Sequence, residues 1–168
     1  MFKLYQSLSN TAIEWANSNQ RSCWDFGGRF NCPRGFSSVD LKDADLCWDL
    51  RGHYPFSYNS VGVIRAHDFL EHIADKMHSL REIHRALAPG GYLLSMTPST
   101  DGRGAWQDPT HVSFWNENSF WYVTRPEIMK YIDNTTVKFE PLLLKTDFPT
   151  FWHEQNNIPY VLAVLRKI

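Results

Sequence analysis

The chain has 168 residues, 43% of them hydrophobic and 21% charged, with a formal net charge of -1. That length suits one domain with a substantial core and excludes a multi-domain reading, while interspersed charge excludes a broad basic face for nucleic acid or a polybasic membrane patch. No apolar run approaches the roughly 18 residues needed to span a bilayer, and the polar-interrupted amino terminus is not a secretion signal, so a cytoplasmic monomer or homodimer with a small-molecule partner is expected.

Leu4 to Asn19 mixes Leu4, Leu8, Ile13 and Trp15 with Ser and Asn, which predicts one or two short helical turns ahead of a sheet, over an edge or a ligand. Ser22 to Phe26 is a strand candidate running into Gly27-Gly28, and Phe36 to Asp40 is a second strand that ends on a carboxylate. In open α/β sheets ligands bind beyond the carboxyl ends of the strands, glycines admit close backbone approach, and an acid closing the second strand can accept both ribose hydroxyls. Asp40 has that position. Gly27 to Gly35 leaves nine residues between the strands, whereas a parallel crossover needs a dozen or more, so the first crossover helix is expected to be reduced or absent.

Asp45 to Leu50 reads as a third strand, followed by turn signals at Tyr54-Pro55-Phe56 and Asn59-Ser60. Val61 to Ala66 has the length of a buried parallel strand, and an acidic, histidine-rich segment through Glu71 and His72 follows. Met77, Leu80, Ile83, His84 and Leu87 recur at helical spacing, Asp75 is placed to cap the first turn, and Pro89-Gly90-Gly91 is expected to stop the helix before a strand from Tyr92 to Thr97. The order is a βαβ unit.

Asp101 to Tyr122 combines a Gly-rich opening, an Asp108-Pro-Thr-His111 turn and clustered aromatics. A loop leaving the fifth strand emerges on the edge where ligands bind, so Asp108 and His111 are candidates for substrate positioning or proton removal, with Trp106, Phe114 and Trp115 walling the pocket. A helical cap and a core anchor are the alternative roles for these groups. Arg125 to Asp133 suits a short helix with Pro126 in its first turn. Val137 to Leu144 and Ile158 to Arg166 suit a final antiparallel pair, joined by a Phe148 to Asn157 loop in which Trp152 and His153 have no assigned role.

Cys23, Cys32 and Cys47 are odd in number and lack Cys-x-x-Cys spacing, so ordinary thiols are expected. His67 and His72 with Asp68 and Glu71 offer ligand chemistry, but His-Glu-x-x-His spacing is absent and no metal is expected.

Taken together, Asp25-Phe-Gly-Gly28, Gly35-Phe-Ser-Ser-Val-Asp40, Asp49-Leu50, Leu70-Glu71-His72 and Pro89-Gly90-Gly91 resemble the motifs of class I S-adenosylmethionine-dependent methyltransferases of compact, type 11-like form. The resemblance covers residues 22 to 98, with a glycine motif reduced to two adjacent glycines. It implies an α/β, Rossmann-like sheet, mostly parallel with a C-terminal antiparallel strand. It divides one domain into an N-terminal helical segment (1–21), a cofactor-binding half (22–98) and a substrate side (99–168). It implies S-adenosyl-L-methionine as cofactor, leaving as S-adenosyl-L-homocysteine, held by Asp25, Gly27, Gly28, Asp40, Leu41, Asp49, Leu50, Ala66 and His67. Methyl transfer to a small-molecule or sugar-type acceptor would use His111, Asp108 or His67, histidine being able to take a proton near neutral pH. A non-catalytic Rossmann-like binding module with an eroded cofactor site is the alternative. A nicotinamide enzyme is disfavoured by the missing Gly-x-Gly-x-x-Gly.

Overall fold

The computed structural model describes residues 1–132 and 136–168. In chain order these build α1 (Phe2–Ser18), β1 (Ser22–Phe26), β2 (Ser37–Asp40), β3 (Leu46–Cys47), β4 (Val61–His67), a 3-10 turn (Leu70–His72), α2 (Lys76–Ala86) and β5 (Leu87–Pro98). There follow α3 (Gly104–Gln107), α4 (Glu117–Thr124), α5 (Pro126–Met129), a second 3-10 turn (Lys130–Ile132), β6 (Phe139–Asp147), α6 (Phe151–Gln155) and β7 (Tyr160–Lys167). The strands form one sheet in the order β3-β2-β1-β4-β5-β7-β6. Neighbours from β3 through β5 pair in parallel, and β7 runs antiparallel to both β5 and β6. This is the α/β, Rossmann-like arrangement of class I methyltransferases.

The expectation of a missing first crossover helix agrees with the structure, since turns and irregular backbone occupy residues 27–36. The reduction goes further. Residues 41–45 between β2 and β3 are bends, so among the described residues no helix covers this end of the sheet through a crossover. The cover comes from the segment after β3, where Leu50, Tyr54 and Phe56 pack with Phe26 and Val39. Phe56 stacks on Phe26 at 5.7 Å and Tyr54 meets it edge-on at 5.4 Å. Glu82 and Arg85 of α2 pin that segment down: Glu82 accepts from the Tyr54 amide, while Arg85 pairs with Glu82 and donates to the carbonyls of Tyr54 and Phe56.

Three sequence expectations need correction. The amino-terminal segment is one helix of 17 residues rather than separate turns. Tyr5, Ala12 and Ala16 share one face and are buried against the sheet, whereas Ser and Asn lie on the exposed side, so packing overrides their weak propensity. The third strand is shorter than 45–50, because only Leu46 and Cys47 pair with β2. Pro89-Gly90-Gly91 does not stop α2, which ends at Ala86. The three residues instead form an irregularity inside β5, where pairing jumps from Val61↔Leu87 to Val63↔Tyr92. A Cβ on Gly91 would lie 2.8 Å from the Gly62 carbonyl oxygen and 2.9 Å from that of Ala88, so only glycine lets the chain pass there.

The capping expectation for α2 agrees, Asp75 accepting from the His78 amide at 2.8 Å. Pro126 occupies the first turn of α5 as expected; Asp133, where that helix was expected to end, lies outside the described residues. Among the described residues, no helix is long and apolar enough to cross a membrane.

Candidate active site

Two cavities open at the carboxyl edge of the parallel strands. The first, of about 290 Å³, is lined by Gly27, Asp40, Leu41, Asp49 and Leu50, with Phe69 and Ile73 among its apolar walls. Five of the nine sequence-selected cofactor residues therefore meet in one space. Gly27 sits at the tip of β1 with φ of +74°, a conformation costly to residues with a Cβ, and its amide donates to the Val39 carbonyl. Asp40, at the end of β2, accepts from the Leu41 amide through Oδ1. Asp49 is bound by Arg51, whose Nε and Nη2 donate to both carboxylate oxygens; these hydrogen bonds hold its pKa down at about 2.

The other four lie elsewhere. Asp25 is wholly buried on the α1 side of the sheet, where Arg65 donates to its Oδ1 at 2.6 Å. Burial pushes its pKa up against the pull of Arg65, and Oδ2 is buried without a partner among the described residues. Gly28 lies directly against that carboxylate. Ala66 is buried in the core. His67 lines neither cavity: its Nε2 shares a 2.6 Å hydrogen bond with the Tyr5 hydroxyl under α1. Desolvation, aided by Arg65, lowers its pKa to about 3, which keeps the ring neutral.

The second cavity, about 300 Å³, is lined by residues that include Asp68, Glu71, His72, Asp108, His111 and Tyr160. Asp108 and His111 come together as the sequence expected. Asp108 accepts from the Thr110 amide and hydroxyl, bonds that lower its pKa, and its Oδ2 lies 3.9 Å from His111 Nε2. Local hydrogen bonds explain the placement. The amides of Val112 and Ser113 both donate to the Glu71 carbonyl and the Ser113 hydroxyl donates to that of Leu70, so the post-β5 loop is tied onto the post-β4 turn. Trp115 is fully buried, whereas Trp106 and Phe114 are exposed and stack on each other at 4.4 Å.

Asp68 and His72 line both cavities. The sequence offers these two and Glu71 only as metal ligands beside His67, a role it sets aside, and not as residues of a cofactor or acceptor site. Asp68 adopts φ of +47° and accepts from the Tyr160 hydroxyl at 2.8 Å, a contact across 92 positions that no local pattern signals. Glu71 is 2% exposed; its Oε2 accepts from Thr97 at 2.7 Å, and burial raises its pKa to about 7.

Comparison with known proteins agrees with this fold. The family model described as methyltransferase domain matches residues 8–95. No curated protein matches the chain. Among solved structures, the complex between the Haloferax volcanii Trm112 methyltransferase activator and a methyltransferase is similar at 16% identity, over 88% of this chain and 82% of that one, with a TM-score of 0.62. An S-adenosylmethionine-dependent methyltransferase from Mesorhizobium loti is similar at 15% identity, over 92% and 97% of the two chains, at 0.57. The Burkholderia thailandensis 1,6-didemethyltoxoflavin-N1-methyltransferase, with its bound substrate and S-adenosylhomocysteine, is similar at 16% identity over 94% and 76%, at 0.56.

Proposed function

The chain belongs to the class I S-adenosylmethionine-dependent methyltransferases, in the methyltransferase domain family, and on that premise we propose that its first cavity holds the adenosyl part of the cofactor while the second holds a small, hydroxyl-bearing acceptor. The observation that carries this reading is the sharing of Asp68 and His72 by both cavities, since methyl transfer requires donor and acceptor to meet.

The residues of the first cavity fit the cofactor. Asp40 presents a carboxylate at the tip of β2 for the ribose hydroxyls, Gly27 admits backbone approach, and Asp49 with Leu50 offers an acceptor beside an apolar surface for the adenine. Swinging Arg51 away frees Asp49 for that contact. When bound, S-adenosyl-L-methionine supplies a sulfonium-activated methyl group and leaves as S-adenosyl-L-homocysteine.

The chain's own contribution is mainly positioning, which can provide much of the barrier reduction for a donor that is already activated. Carboxylates at Asp68, Glu71 and Asp108 accept hydroxyl hydrogens, while Trp152 and Tyr160 offer flat apolar faces. That combination suits a sugar-type or other polyhydroxylated acceptor. Asp108 and His111 orient the acceptor and receive its proton. A cytoplasmic setting and a monomer or homodimer belong to the same reading.

Calorimetry with S-adenosyl-L-methionine, followed by label transfer from methyl-labelled cofactor to a panel of monosaccharides, glycosides and amines, tests it. Saturable binding and label on a hydroxylated compound are expected. Label appearing only on amines would overturn the acceptor class, and absence of cofactor binding would favour a non-catalytic binding module.

A further inference from the structure

One nitrogen from each of His72 and His111 and one carboxylate oxygen of Glu71 lie within 4.8 Å of one another inside the second cavity. In each histidine one ring nitrogen is already engaged by a backbone carbonyl, which leaves the other to carry a lone pair. A carbonyl can only accept, so the contacts of His72 Nδ1 with the Thr110 carbonyl and of His111 Nδ1 with the Ala105 carbonyl place the ring protons on Nδ1. In the neutral rings Nε2 is then left as a free donor atom, the arrangement by which ligating histidines are held in tautomer and orientation. Glu71 supplies an independent sign: although 2% exposed, its Oε1 has no hydrogen-bond partner among the described residues. An orphaned carboxylate oxygen in a dry site costs free energy unless something cationic or hydrogen-donating meets it.

We propose that Glu71, His72 and His111 form a binding site for a divalent transition-metal ion, placed to take an oxygen of the methyl acceptor in its open coordination positions. Two imidazoles and one carboxylate suit zinc, manganese, iron, cobalt or nickel and disfavour calcium, which takes six or more oxygen ligands. Ligand atoms around an ion at about 2.1 Å lie roughly 3.0–3.4 Å apart, so binding closes separations that are now within 4.8 Å. Modest rotation of the two imidazoles supplies that movement. The cluster differs from the one drawn on the sequence: His67 is under α1, and His111 arrives from a distant loop. With the ion in place His111 is a ligand, and Asp108, 3.9 Å from its Nε2, is the carboxylate left to receive an acceptor proton. Coordination to a divalent ion makes such a hydroxyl more acidic.

The site rests on the proposed acceptor role of this cavity, but metal and cofactor binding are separable. Chelator-treated protein titrated with Co²⁺ should develop visible d–d absorption saturating at one equivalent, and Zn²⁺ should displace it. Glu71→Gln and, separately, His111→Gln, at two residues that line only the second cavity, should weaken Co²⁺ binding by roughly 100-fold or more, beyond the ~10–100-fold typical of outer-shell changes. Both should bind S-adenosyl-L-methionine as the parent does, with unchanged circular dichroism. Asp40→Ala should show the reverse pattern. Failure of the parent protein to bind Co²⁺, or equal binding by both variants, would overturn the site. Co²⁺ binding without cofactor binding would uphold the metal site and sink the methyl-transfer reading.

Discussion

At the level of single residues, acidic side chains with similar sequence signatures have different environments. Asp40 ends a strand at an open edge, while Asp25 is buried and committed to Arg65. Asp40→Ala should weaken S-adenosyl-L-methionine binding by about 100-fold, because hydrogen bonds to a charged acceptor contribute roughly 1.5–3 kcal/mol each; calorimetry giving parental affinity would refute the ribose assignment. His111→Ala should lower turnover at least tenfold and leave cofactor affinity within about twofold, since the ring lines only the second cavity. Steady-state kinetics beside calorimetry checks that split. That Asp40 and His111 reach the cavities was legible because strand ends and the loop after β5 emerge on that edge. Asp68 and His72 were not, because their significance lies in which two cavities they touch.

Among the elements, the segment after β3 does what a crossover helix does elsewhere, and it depends on α2. Arg85 and Glu82 are both largely shielded, with side-chain exposures of 10% and 11%, and their bonds hold the backbone from Tyr54 to Phe56. Arg85→Ala leaves Glu82 and two carbonyls short of partners, so a loss of about 3 kcal/mol is expected in urea unfolding. Cofactor affinity should drop as well, since Asp49 and Leu50 lead into the released segment; a stability loss under about 1 kcal/mol would show that the aromatic packing holds it alone. Helix α2 and strands β1 and β4 were readable from periodicity and caps. The fate of Pro89-Gly90-Gly91 was not, since the same tripeptide suits a helix stop and a strand irregularity, and only pairing with β4 distinguishes them.

For the molecule as a whole, stability against pH reflects opposed buried groups. His67 titrates at about 3 when folded, well below the ~6.5 of an unfolded chain, so its contribution is full above pH 6.5 and is lost as pH falls toward 3. His84, lowered to about 4 by burial and Lys167, acts in the same direction more weakly because it is half-buried. Glu71, raised to about 7, runs oppositely: its contribution is full below about 4.5 and is lost as pH rises through 7. Between pH 7 and 5 the His67 and Glu71 effects are each about 2 kcal/mol and nearly cancel. In chelator-containing buffer His67→Gln should therefore raise the Tm at pH 5 relative to pH 7 by about 4–8 °C compared with the parent; an unchanged difference would mean that His67 is protonated in the fold. The sequence by itself determined the sheet class, the short first crossover and the acids at the strand ends, because strand periodicity, loop length and strand-end chemistry are local. Tertiary structure alone decided that α1 is continuous, that a loop replaces helical cover, and that Glu71, His72 and His111 converge. Those outcomes come from burial and pairing between segments tens of residues apart, whose free energies are not properties of either segment alone.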